Sequence, residues 1–334
     1  MSLREIMARR ILILSGKGGA GKSALTAALA LRAAEDGKRT LLVEMDTVET
    51  IPRIFGKSGG EHYKEIPLDR NIHCLHVDGK SGLEEYLQLI FKTKRLTNRI
   101  FRSPAYQYFV NVAPGLKELM AVGKIWDLEQ ETLPGSTKPR YDLFIVDTPA
   151  TGHALSYLRM PMAAANTLKR GFVQKEAQKV VDLLQDPKKT SFNIVTTLGE
   201  MPVNEAVELY EKSLNELRLP MGCLFVNQVF QPFFSGHDLE RFRVWKQQVE
   251  RETTGPAELS SIQKQETWIL SCAESWRRKR ERQEAYLGKV RQVFSCEIVT
   301  LPFLSGFQEP LSFARRLADA LPRNPGVDPR PLRS

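Results

Sequence analysis

Gly16-Lys17-Gly18-Gly19-Ala20-Gly21-Lys22-Ser23 holds the side chains and backbone best suited to chemistry in this sequence. The octet satisfies G-x-x-x-x-G-K-[ST], whose glycines let the chain curl until successive N–H groups face a phosphate. Lys22 would neutralise β- and γ-phosphates. The Ser23 hydroxyl would complete a Mg²⁺ shell, because this small hard cation takes oxygen ligands and keeps waters beside phosphate oxygens. Such a loop works only between a strand and a helix, whose first turn adds partial positive charge. Both are legible: Arg10 to Leu14 is a β-branched and leucine run, and Ser23 to Ala34 carries apolar residues at helical spacing.

Other candidate groups stand at the ends of further apolar runs. After Thr40 to Val43 comes Glu44-Met45-Asp46. Residues 44 and 46 of a strand point the same way, so either carboxylate can orient a water in line with a γ-phosphate. Asp147 directly follows Leu143 to Val146, the position from which a carboxylate holds Mg²⁺ directly or through its waters. Gly152, five residues on, gives the backbone freedom to approach and release a γ-phosphate. Asn227 closes the run Cys223 to Val226, and its amide can pair with the donor and acceptor edge of adenine.

Lys17 is an extra cation directly after the first glycine, and this K-G-G-x-G-K-S form resembles the deviant Walker A motif of the SIMIBI class of nucleotidases. Asp147-Thr148-Pro149-Ala150-Thr151-Gly152-His153 is similar to D-T-A-P-T-G-H, the switch II signature of the ArsA family and its eukaryotic relatives that target tail-anchored membrane proteins, with Pro and Ala exchanged. The resemblance implies an ATP-binding and ATP-hydrolysing dimer whose nucleotide state governs a client. It implies that Lys17 reaches the partner's nucleotide and that Asp46, rather than Glu44, places the water. It also implies that Val226-Asn227-Gln228 recognises adenine and that Pro302-Phe303-Leu304 covers the base. Asp46-Thr47-Val48-Glu49 departs from the family's D-P-A-H. The zinc clasp and the methionine-rich insertion of the targeting relatives have no counterpart, so no zinc is expected. Single-domain bacterial members with unassigned clients match best, paired as a homodimer or with a paralogue.

Positioning these groups requires a sheet. Further short runs at Ile72 to Val77, Phe192 to Thr196, Leu224 to Val226 and Ile298 to Leu301 alternate with helical stretches. They predict a doubly wound, mainly parallel α/β sheet, a P-loop NTPase fold spanning residues 1–334 as one domain. A helical insertion is expected over 78–140, where Leu83, Tyr86, Leu87 and Ile90 share one helical face and Leu116, Leu119, Met120 and Ile125 another. A second helical block is expected over 239–294, and a disordered tail over 322–334, where four prolines fall.

Composition sets the outer bounds. With 42% hydrophobic and 26% charged residues, the chain is not a wholly disordered one. No run approaches 18 apolar residues, so a cytoplasmic protein, mature from residue 1 and without an integral membrane segment, is expected. The four cysteines are scattered, which excludes a sequence-local metal site. A net charge of +9 suits an anionic partner without choosing among them. The run Arg277-Arg278-Lys279-Arg280-Glu281-Arg282 wraps its charges around a helix axis, so it reads as a solvated face and no nucleic-acid partner is expected. Two rival functions remain: a non-hydrolysing, nucleotide-dependent binding module, and a partitioning ATPase of the ParA or MinD type.

Overall fold

The apolar runs become strands β1 (Ile11–Ser15), β2 (Thr40–Met45), β3 (Ile66–Asp69), β4 (Ile72–Val77), β5 (Leu143–Asp147), β6 (Thr190–Thr197), β7 (Met221–Val229) and β8 (Glu297–Pro302). This is a computed structural model that describes residues 1–45, 49–58, 63–78, 115–167, 172–232, 236–253, 260–306 and 309–322. The strands form one sheet in the order β3-β4-β2-β5-β1-β6-β7-β8, with β1 near its middle. Every neighbouring pair is parallel except β3 with β4.

The helices described are α1 (Leu3–Met7), α2 (Lys22–Glu35), α3 (Thr50–Ile54), α4 (Leu116–Gln130), α5 (Thr151–Thr167), α6 (Phe172–Gln185), α7 (Glu200–Asn215), α8 (Gly236–Thr253), α9 (Ser261–Val293) and α10 (Pro310–Ala320). They cover both faces, which is why the central strands read as unbroken apolar runs rather than alternating ones. Within β1 the alternation is still physical: Leu12 and Leu14 pack with α1, α2, α3 and α10, while Ile11 and Ile13 pack with α4 to α7 and the end of α9.

Two elements were not anticipated. α1 is signalled in hindsight by Ser2 and Glu5, which form a reciprocal capping box. β3 holds Pro67 and an irregular register, features that confine it to the sheet edge and hide it from a search for apolar runs. Of the expected insertion, residues 79–114, with the Leu83, Tyr86, Leu87 and Ile90 face, lie outside the described residues. Its later part is α4, which buries Leu119 and Ile125 and packs on α5 and α6. The second expected block is the α8–α9 pair, and residues 323–334 of the expected tail lie outside the description. No helix among the described residues is long and apolar enough to cross a membrane.

Because β1, β2, β5, β7 and β8 are parallel, the groups that follow them gather on one edge of the sheet. In open α/β sheets this carboxyl edge is where ligands bind.

Candidate active site

The loop between β1 and α2 owes its shape to glycine at two positions above all. Gly16 (φ 151°) and Gly21 (φ 93°) occupy backbone conformations that side chains rarely adopt. A Cβ would stand 2.0 Å from the Val195 carbonyl oxygen at Gly16, and 2.3 Å from Asn227 Nδ2 at Gly21. Gly21 caps α2 without any side-chain hydrogen bond, so the first N–H groups of that 14-residue helix are left for a ligand. Ala20 is buried beneath the loop, and a Cβ added at Gly18 would lie 3.9 Å from Ala150 Cβ in the segment after β5. Gly19 has open space around it.

Lys22 curls back over the loop and donates to the carbonyls of Gly16 at 2.9 Å and Lys17 at 3.3 Å. Its burial lowers the ammonium pKa, and the Asp147 carboxylate opposes that shift. Ser23 Oγ donates to Asp147 Oδ2 at 2.5 Å. Asp147 is only 1% exposed, and its Oδ1 has no hydrogen-bond partner. Burial raises the Asp147 pKa to about 6, against the opposing Ser23 hydrogen bond and the Lys22 charge. An unmatched, buried carboxylate oxygen beside a serine hydroxyl under a phosphate-shaped cradle is the donor set that fits Mg²⁺. No group of three or more His, Cys, Asp or Glu that could hold a metal occurs among the described residues. A cation here would therefore draw on Ser23, Asp147, water and phosphate oxygens.

The two carboxylates at the end of β2 part company. Glu44 is buried, and its Oε1 accepts from the backbone N–H groups of Thr50 at 2.5 Å and Ile51 at 3.1 Å, capping α3. Asp46 lies outside the described residues. Lys17 forms an ion pair with Glu205 of α7 in its own chain.

Residues 9–181, just over half the chain, match the family model described as anion-transporting ATPase. The chain belongs to that ArsA-type family. The ATPase BagA of Mycobacterium tuberculosis is 31% identical over 240 residues, covering 70% of this chain and 68% of that protein. Arsenical pump-driving ATPases of Acidiphilium multivorum and Escherichia coli are 25% and 24% identical, each over 75% of this chain and 45% of their own length. This chain is thus an ATPase of the family, with a nucleotide as its ligand, and it spans less than half of those pump-driving relatives.

On the far side of the P-loop, Asn227 of this ATPase is 3% exposed. Its Nδ2 donates to the Ala20 carbonyl at 2.9 Å, and its Oδ1 accepts from the Gln228 N–H at 2.9 Å, so the side chain braces the loop. Pro302 is buried at the end of β8. Phe303, 37% exposed, stacks on Phe230 at 4.9 Å, and Trp276 of α9 meets both rings edge-on. Gly152 and His153 are exposed in the first turn of α5, and the buried Thr151 Oγ1 beside them has no partner.

Residues that sequence reasoning missed surround this site. Glu205 is one. Gln283 is another: it accepts from the Phe230 N–H and donates to the Gln228 carbonyl, tying α9 to the exit of β7. Arg280 adds a bond to the Phe230 carbonyl at 2.6 Å. A cleft of about 460 Å³ opens on the other side of Trp276, but its Lys246–Glu274 and Arg280–Glu284 pairs neutralise one another, so it is not a second phosphate site.

Proposed function

We propose that two copies of this ATPase, or one copy and a paralogue, close on ATP and Mg²⁺ in the cytoplasm, and that the closed and open forms grip and release a protein client. The observation that carries the nucleotide half of this reading is the Ser23–Asp147 pair with its unmatched Oδ1 beneath the glycine cradle. Ser23 and Asp147, the latter through water, would hold the metal. When bound, the ion neutralises charge on the β- and γ-phosphate oxygens.

The rest falls to the chain's own residues. Backbone N–H groups from Gly16, Gly18, Gly19, Ala20, Gly21, Lys22 and Ser23 bind the phosphates, and the Lys22 ammonium turns from carbonyls to phosphate oxygens. Asp46 places the attacking water, and Gly152 senses the γ-phosphate. Asn227, Pro302 and Phe303 flank the base. Lys17 exchanges Glu205 for phosphate as the partner closes. Positioning and charge neutralisation supply most of the acceleration in such a transfer to water.

Asp46→Asn tests the assignment. Nucleotide binding and nucleotide-induced dimerisation should persist while steady phosphate release falls by orders of magnitude. Undiminished phosphate release removes Asp46 from the role.

A further inference from the structure

Helix α9 runs 33 residues, about 50 Å at 1.5 Å per residue. Its C-terminal part is anchored, with Leu287 and Val290 in the main core, and its middle is tied to β7 through Gln283 and Arg280. Toward its N-terminus it packs against α8, and Leu270 is its one buried residue before Gln283.

Cations occur all around this helix, but its acidic residues avoid one face. Lys264, Trp268, Ser271, Ser275, Arg278, Arg282, Ala285 and Lys289 follow one another at alternating steps of four and three, so they fall within about 100° of one another around the axis. All eight are exposed, four are cations and none is acidic. Glu274, Glu281 and Glu284 lie off this stripe, paired with Lys246, Arg277 and Arg280. Among the stripe cations only Arg278 has an ion pair, to Glu274 at 3.4 Å with 72% of its own side chain exposed. Near the distal end Trp268, on the same stripe, is 69% exposed. The basic run at Arg277–Arg282 alone hides this order, which emerges only when Lys264 and Lys289 are set in helical register with it.

We propose that this face of α9 docks on an anionic lipid bilayer. A straight row of cations spread over about 38 Å meets a plane along its whole length, whereas phosphates of a nucleic-acid duplex curve away from a straight rod. Serine and alanine between the cations let a flat surface approach closely. An exposed indole at one end of the stripe suits the headgroup boundary, where tryptophan is enriched. The same helix carries Trp276 against Phe230 and Phe303, so the docked face and the base side of the nucleotide site share one rigid element. The stripe stands on its own observations and does not depend on the client or dimer reading.

Flotation of the full chain with vesicles tests it, comparing pure phosphatidylcholine with vesicles containing phosphatidylglycerol. The wild type should float with the anionic vesicles alone, and raising salt from about 0.1 M to 1 M should release it, as the screening length falls from about 10 Å to 3 Å. The variant Lys264→Ser/Arg278→Ser/Arg282→Ser/Lys289→Ser should partition about 100-fold or more weakly, since each cation near such a surface is worth about fivefold. Its two double variants should divide that loss, which keeps the experiment readable should the fourfold variant unfold. A control that removes four exposed cations elsewhere, Lys138→Ser/Lys188→Ser/Arg241→Ser/Arg251→Ser, should lose far less, and Trp268→Ser should weaken binding beyond its lack of charge change. ATP hydrolysis without vesicles should be the same in all of them. The proposal is overturned by no binding to anionic vesicles at about 0.1 M salt, by equal losses in the stripe and control variants, or by duplex DNA or RNA binding that the stripe variant abolishes while vesicles are ignored.

Discussion

Gly21→Ala puts a methyl group where two independent costs meet. The first is conformational: φ 93° is a left-handed backbone that an L side chain pays about 1–2 kcal/mol to hold. The second is steric, because the new Cβ would lie 2.3 Å from Asn227 Nδ2, closer than real carbon contacts come. Asn227 must then swing away, giving up its bonds to the Ala20 carbonyl and the Gln228 N–H, each worth about 1 kcal/mol net. Together these reach about 3–4 kcal/mol, which for a chain of this length lowers Tm by about 5 °C. If the strain is instead absorbed by deforming the loop, the same energy weakens nucleotide binding by about two to three decades.

Gly19 supplies the control, since φ 82° there carries the conformational cost but no atom lies within 4 Å of an added Cβ. Gly19→Ala should lower the nucleotide-free Tm by about 3 °C at most. Thermal unfolding without ligand and calorimetric titration with ATP read both quantities. Asn227→Ala in the Gly21→Ala background should recover the steric part only, a coupling of about 1–2 kcal/mol in the double-mutant cycle. Equal Tm together with equal ATP affinity for the two glycine variants, or no coupling with Asn227, would refute the account of how this loop is held.

Two further substitutions bear on the same site. Asp147→Asn should abolish Mg²⁺-dependent turnover and yet raise the nucleotide-free Tm by about 2–4 °C above pH 6, because the amide escapes the burial cost that lifts the carboxyl from 3.8 to about 6. A raised carboxyl pKa penalises the fold only where the group is ionised, so that gap should close as the pH falls below about 4, and a lower Tm at pH 8 would instead make the carboxylate structural. Glu205→Gln removes the in-chain partner of Lys17, a half-exposed pair worth at most about 1 kcal/mol, so ATP affinity should rise up to about fivefold and nucleotide-induced dimers should form at lower protein concentration. The effect should vanish in a Lys17→Ala background, and an unchanged affinity with Lys17 present would mean the pair does not restrain the loop.

How far the sequence reveals the site depends on whether each signal is local. The β1–loop–α2 unit is written in consecutive residues, since strand, glycines, Lys22 and Ser23 must follow one another for the cradle to exist, and Asp147 is marked by the apolar run it ends. Those parts, with the parallel sheet they require, are legible. β3 is not, because four residues with a proline pair only through their neighbour β4 and carry no period of their own. The Lys17–Glu205 pair joins residues 188 apart, and nothing near Glu205 distinguishes it from the other glutamates of α7. Glu44 shows the intermediate case. Its strand position aims it at the ligand edge as the spacing predicts, yet the first turn of α3 presents two backbone donors within reach, and a buried carboxylate satisfies those before it serves a ligand. Competition of this kind, between a backbone that must be satisfied and a ligand not yet bound, is what a sequence pattern cannot weigh. By the function proposed above, the carboxylate left for turnover is Asp46.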